Sequence, residues 1–298
     1  MTIWQPEPGE TLLARRSVSF ATGEATAVSG MRWFRDTERR DIQNELQDWP
    51  EGPHFAVRSK GDARLRKAGK FGAGALLVGV LGVLESLAGS GSTGNVARLG
   101  DPEEPENEVE DFPVMWAAPG TLARTLPWQL DPGRRPDTDR THMVVTDKRV
   151  LVLGLLDNEE DPQDEVLWET KRSTIAAARR MKFSRNKTHF KMVFTDGSWC
   201  RLEGQNQNCR NDITRALEDP LLLVDSDDLT QGQQETVRKL LQTVEPGGNL
   251  LISRRPSGNF YVTYHHSDRV APFHGIGNEI FHLMGPNGEP MKPQEGDI

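Results

Sequence analysis

Between His142 and Leu153 the chain reads His-Met-Val-Val-Thr-Asp-Lys-Arg-Val-Leu-Val-Leu, two aliphatic, largely β-branched runs joined by one polar stretch, Thr146 to Arg149. Such residues fit a pleated surface, and so short a connection brings the runs side by side, so the segment predicts an antiparallel hairpin. A chain committed to that hairpin builds a sheet around it. The pattern recurs in His189 to Phe194, where Phe190, Met192 and Phe194 alternate with polar or smaller neighbours. Thr195-Asp196-Gly197-Ser198 then supplies an Asp-Gly turn, and Trp199 to Glu203 returns the chain.

Around these two hairpins, Thr11 to Phe20 reads as a first strand and Val114 to Ala118 and Leu122 to Leu130 as further strands. An acidic loop, Asp157 to Glu165, precedes Val166 to Glu169 and the strand-like Ile175 to Phe183. Asn208 to Glu218 reads as a helix turning Ile213, Ala216 and Leu217 toward the sheet. Ile42, Leu46 and Trp49 at helical spacing predict an amphipathic helix within Arg35 to Trp49, stopped by Pro50. Beyond it, Leu250 to Ser253 and Phe260 to His265 flank Pro256-Ser257-Gly258-Asn259, a hairpin followed by a loop-rich tail.

The fold class expected is α+β: a small antiparallel sheet or barrel capped by a helix, with an apolar helix inserted. Residues 1–60 form an N-terminal segment, 61–95 a basic lead and glycine-rich helix, 96–111 an acidic linker, 112–219 the sheet domain and 220–298 a helix, hairpin and tail. The acidic run Asp101 to Asp111, broken by Pro102 and Pro105, is of solvated composition.

A net charge of −8 argues against nucleic-acid binding, since phosphate neutralisation requires a basic surface. Cys200 and Cys209 are the only cysteines and form no CxxC pair, and Met1 to Gly30 contain no apolar signal core, which together fit a cytoplasmic setting.

Within 61–95 the composition changes abruptly. Arg64, Arg66, Lys67 and Lys70 run into Phe71 to Leu84, the most apolar part of the chain. Gly72, Ala75, Gly79, Gly82, Ser86 and Gly89 are spaced three, four, three, four and three apart, which places small residues on one helix face where another backbone can approach closely. Fourteen uncharged residues before Glu85 fall short of the roughly 20 that span a bilayer. Two readings follow: an interfacial or membrane-inserted element with a juxtamembrane basic cluster, or a helix packed on protein, including self-association through residues 71–89.

A second basic concentration includes Lys171, Arg172, Arg179, Arg180, Lys182, Arg185, Lys187 and Lys191. Pairing of Ile175 to Phe183 with His189 to Phe194 is expected to converge Arg180 and Lys182 with His189 and Lys191, either as an exposed sheet face balanced by Asp157 to Glu165 or as an anion- or lipid-binding patch. His265, His266, His274 and His282, with Asp268 and Glu279, invite a metal reading. Their intervals lack a ligand spacing such as HExxH, so no metal or cofactor is expected, and a metal-dependent enzyme is the weakest of the alternatives.

Val144-Val145-Thr146-Asp147-Lys148-Arg149-Val150-Leu151 resembles the hydrophobic-Thr-Asp-Arg-hydrophobic hairpin of bacterial pleckstrin-homology-like domains, including GRAM-type modules. Val193-Phe194-Thr195-Asp196-Gly197-Ser198-Trp199 is similar to their late Asp-Gly hairpin. The resemblance covers roughly residues 114–219, with Thr11 to Phe20 contributing a first strand across an insertion. It implies a partly open barrel capped by a helix, used for lipid headgroups, peptides or self-assembly, and carries over no catalytic residue. The functional expectation is a non-enzymatic, membrane-associated binding or scaffold protein, peripheral or monotopic at the cytoplasmic face, with anionic lipid or a protein as partner. Its rival is a soluble assembly component.

Overall fold

In the computed structural model of the protein, residues 3–22, 34–50, 113–136, 139–156, 163–181, 187–218, 222–271, 274–294 and 297 are described. Strand β1 (Leu12–Phe20) is followed by the two-residue strands β2 (Phe34–Arg35) and β3 (Met115–Trp116). Then come β4 (Asp139–Thr146), β5 (Arg149–Leu156), β6 (Gln163–Lys171), β7 (Ile175–Arg180), β8 (His189–Phe194), β9 (Trp199–Gly204) and helix α1 (Gln207–Ala216). The remaining elements are α2 (Gln231–Leu241), β10 (Asn249–Arg254), β11 (Phe260–His265), β12 (Val270–Ala271), β13 (Gly275–Ile276) and β14 (Ile280–Met284). The architecture is α+β, mostly strands, with a curled half-barrel sheet and two α-helices among the described residues.

The expected central hairpin is β4–β5, paired with Val145 opposite Val150. Its turn is held by Thr146, whose Oγ1 accepts from the backbone N–H of Lys148 (3.1 Å) and Arg149 (2.8 Å) and donates to Glu10 Oε1 (2.6 Å). The runs are apolar throughout rather than alternating because both faces are covered. Met143, Val145, Val150 and Val152 point into the main core, while Val144, Leu151 and Leu153 join Leu12 and Ile276 in an outer cluster roofed by Trp4 and Val270.

The sheet runs β6-β5-β4-β1-β9-β8-β7. On one edge of β9, β1 occupies the stretch opposite Leu202 to Gly204 and β3 the stretch opposite Trp199 and Cys200. After β1 the chain returns to the same nine-stranded sheet at β2, which pairs in parallel with β3, and β3 in turn lies along β9 beyond the end of β1. Helix α1 packs over the open side, capped by the Asn206 side chain accepting from Cys209 N–H, with Ile213, Ala216 and Leu217 buried as expected.

Several expectations require correction. Residues 35–49 form no α-helix. Asp36 accepts from the N–H groups of Glu38 and Arg40, and Asp41 from that of Gln43, so side chains compete for the backbone and leave one 3-10 turn, Gln43–Glu45. Ile42, Leu46 and Trp49 still pack on the main core. Leu122 to Leu130 is no strand but two 3-10 turns, Leu122–Thr125 and Trp128–Leu130, with Pro127 breaking the run. Asp164 and Glu165 belong to β6 rather than to an acidic loop. The fully buried Arg15 donates to both Asp164 oxygens (2.7 and 2.6 Å) and through Nε to His142 Nδ1 (3.2 Å).

The tail is also more ordered than a hairpin and loops. A third strand, β14, pairs with β11 beside β10, and α2 covers this sheet with its own core, including Leu229, Val237, Ile252, Val262 and Met284. Thr230 and Gln233 form a reciprocal capping box at the start of α2. The β12–β13 hairpin reaches back to the first sheet. At Gly275, φ is +77° and an added Cβ would lie 2.3 Å from the Arg15 carbonyl oxygen, so only glycine permits the approach. The glycine-rich helix, with Gly72, Ala75, Gly79, Gly82 and Ser86, and the basic lead of Arg64, Arg66, Lys67 and Lys70 lie outside the described residues.

Candidate functional site

The expected convergence of cations on the β7–β8 pair does not form. Strands β7 and β8 do pair, but Lys191 stands opposite Arg179 and Phe190 opposite Arg180. Period-two alternation then puts Arg180 on the opposite face from His189 and Lys191. His189 is buried, its Nε2 3.9 Å from Glu203 Oε2, and Lys191 is buried with its ammonium 4.8 Å from the centre of the Trp199 ring. Arg180 instead lies near Arg215, Glu218 and Arg255; burial and then the Arg215 charge lower its pKa against the pull of Glu218. Lys182 lies outside the described residues.

Two cationic regions form instead, on either side of the C-terminal end of α1. The first is a groove at the corner where the β4–β5 turn meets the β6–β7 connection. The carbonyl of Lys148 accepts from Arg172 N–H (2.8 Å), which fastens the two corners together. The Arg172 guanidinium donates to the carbonyls of Ala216 (3.3 Å) and Glu218, placing its positive charge at the negative end of the helix. Lys148 and Lys171 are exposed, and neither pairs with a carboxylate among the described residues. Among the described residues the only carboxylate lining the groove, Asp147, accepts from Thr11 N–H through Oδ1 (2.7 Å).

Ile175 and Leu217, both buried, complete a cavity of about 400 Å³, and Ser173 lies on its rim. Three cations around an apolar floor suit an anionic group of headgroup size. Sequence reading included Lys171 and Arg172 but took Lys148 for a turn residue. It is the pairing of Arg149 with Lys171 that brings residue 148 beside 172.

The second region is the seam between α1 and the C-terminal sheet. Arg16 donates through Nε (2.7 Å) and Nη2 to Asp212 Oδ2 and through Nη1 to the His274 carbonyl (3.4 Å). Arg215 donates to Asp212 Oδ1 (3.3 Å) and its guanidinium lies 4.1 Å from the Tyr261 ring centre. Arg255 bridges both oxygens of Glu218 (3.0 and 3.2 Å). These cations hold two parts of the chain together.

The C-terminal histidines are dispersed. His265 and His266 are buried, His266 Nε2 lying 3.5 Å from Glu279 Oε1, while His274 is exposed and His282 sits on β14 opposite Val262. Among the described residues, no three His, Cys, Asp or Glu side chains gather as metal ligands. Cys200 and Cys209 are buried free thiols whose pKa values burial raises. Among the described residues no helix is long and apolar enough to cross a membrane. Set against protein-family models, curated proteins and solved structures, the chain matches none, so the functional reading rests on fold and site geometry.

Proposed function

We propose that this is a non-enzymatic, membrane-associated binding protein of pleckstrin-homology-like type, whose groove of Lys148, Lys171 and Arg172 takes the anionic headgroups of a lipid surface. The observation that carries the reading is the pair of exposed lysines that meet no carboxylate partner among the described residues, beside a helix-capping arginine and over a cavity of about 400 Å³. The architecture supports it: a curled, mostly antiparallel sheet with a helix packed over it accords with the partly open, helix-capped barrel that the sequence resemblance implies. So does the composition of residues 64–84, where four cations precede fourteen uncharged residues. Electrostatic attraction and apolar insertion are each weak alone and hold a protein at a bilayer together.

The test is co-flotation of the full chain with phosphatidylcholine vesicles, with and without phosphatidylserine, beside the double variant Lys148→Ala/Lys171→Ala. Each lysine near an anionic surface contributes about 1 kcal/mol, so the double variant is expected to bind about thirtyfold more weakly. Equal flotation of both proteins would remove the groove from the contact. Failure of both proteins to float would end the membrane reading and leave protein assembly through residues 71–89 to be tested by oligomeric state.

A further inference from the structure

Strands β2, β3, β9, β8 and β7 turn one face away from the main core. Alternation puts Arg35, Trp199, Arg201, His189 and Lys191 on that outward face, since their neighbours Phe34, Cys200, Leu202, Phe190 and Met192 point inward. The outward face of an antiparallel sheet ordinarily meets solvent. Yet Arg201 and His189 are 0% exposed, Trp199 5%, Lys191 7% and Arg35 8%. The described elements that pack most on β8 and β9 do not cover this face: β1, β3 and β7 lie beside them in the sheet, and α1 sits on the core side.

Charge selects the kind of cover. Among the described residues these strands turn Arg35, Arg179, Lys191 and Arg201 to the outward face but, of carboxylates, only Glu203, and Asp41 approaches Arg35 at 4.0 Å. Arg39 and Lys191 add cations over a pair of stacked indoles, Trp116 and Trp199, whose centres lie 6.3 Å apart. Cations are seldom buried this deeply without acidic partners. The sequence supplies such partners close by: residues 101–111 hold seven carboxylates and no lysine or arginine, and they end two residues before Pro113.

The chain also enters the sheet on this side. At the edge of β9 the Val114 carbonyl accepts from Arg201 N–H (2.6 Å), while the Arg201 carbonyl accepts from Ala21 N–H (3.1 Å), so β1 takes the place into which residues before Val114 would extend. The core side there is filled by Phe20, Phe34 and Leu202, which leaves the outward face as the way in. We propose that the outward face of β3, β9 and β8 is a surface for an acidic peptide, occupied by the chain's own residues 101–111, whose carboxylates lie against Arg201, Lys191 and Arg35. Three strands span about 10 Å and eleven extended residues reach about 35 Å, so the run is long enough to cross the face. With this face covered, the groove of Lys148, Lys171 and Arg172 is left to offer its cations to a ligand from outside.

Carbodiimide cross-linking of the unaltered full chain, mapped by mass spectrometry, tests this directly, because the reagent joins a lysine to a carboxylate in contact with it. The expected product is a link within one chain between Lys191 and a carboxylate of residues 101–111. A second measurement is the rate at which an amine-specific reagent acetylates Lys191, taken relative to the exposed Lys148. The variant Glu103→Gln/Glu104→Gln/Glu106→Gln/Glu108→Gln/Glu110→Gln should raise that relative rate at least about tenfold. Neutralising the other acidic run, in Asp157→Asn/Glu159→Gln/Glu160→Gln/Asp161→Asn, should leave it unchanged. The proposal fails if Lys191 links instead to residues 157–161 or to a second chain, or if its acetylation is indifferent to the changes at residues 103–110. Where no link forms, the acetylation rates decide, and where the variant does not fold, the link decides.

Discussion

The groove and the seam flank the same helix end and carry similar cations, yet they differ in what meets those cations. In the seam, Arg16, Arg215 and Arg255 lie against Asp212 and Glu218 and are largely buried. In the groove, Lys148 and Lys171 face solvent with no carboxylate in reach among the described residues. Buried, paired charges are costly to disturb and hold structure, whereas exposed, unpaired ones contribute little to stability and remain available to a ligand. A basic residue is thus a candidate contact only after its partner has been accounted for.

The largest expected effect lies in the seam. Asp212→Ala leaves the guanidiniums of Arg16 and Arg215 buried without their carboxylate and should destabilise the fold by about 3–5 kcal/mol in urea unfolding. A loss below about 1 kcal/mol, the range of surface pairs, would erase the contrast between the regions.

Acid should act on the seam next. Burial first, then the Arg16 charge, push the pKa of His265 down to about 4 against the pull of Asp212, with His266 adding to the depression. Between about pH 6.5 and pH 4 the folded chain therefore binds fewer protons than the unfolded one. This contribution is complete above pH 6.5 and is lost on acidification, up to about 3 kcal/mol. His265→Gln should flatten the dependence of Tm on pH across that window, and an unchanged slope would remove His265 as its source. Glu10, held down to about 2 by its hydrogen bond to Arg149 despite burial, loses its contribution only below about pH 4.5, so the two steps separate.

The smallest effect belongs to the groove. Lys148→Ala/Lys171→Ala should change unfolding free energy by less than about 0.5 kcal/mol, the range of surface substitutions. A larger cost would mean that these lysines hold structure too.

How much of this was legible in the sequence follows from how local each feature is. The β4–β5 hairpin was readable from β-branched, aliphatic runs around a polar turn, β8–β9 and β10–β11 from alternation or turn chemistry within a dozen residues, and α1 because Ile213, Ala216 and Leu217 keep helical spacing. Residues 35–49 misled because the spacing of Ile42, Leu46 and Trp49 serves a core-facing irregular segment in which Asp36 and Asp41 take the backbone donors. Strand β14 was missed because its pairing with β11 is long-range and glycine and proline surround it.

The basic patch failed on register. The assumed pairing put Arg180 and Lys191 on one face, but in the actual register Lys191 stands opposite Arg179, so Arg180 and Lys191 lie on opposite faces. Lys148 joined the groove only through the pairing of β5 with β6, which no local pattern expresses.

The most direct test sets the regions side by side: the affinity for phosphatidylserine-containing vesicles of Lys148→Ala/Lys171→Ala, of the seam variant Arg255→Gln, and of the unaltered chain, each measured well below its Tm. The account expects the groove variant to bind about thirtyfold more weakly and the seam variant to bind like the unaltered chain while unfolding at lower temperature. Vesicle affinity unchanged in the groove variant but lost in the seam variant would contradict it.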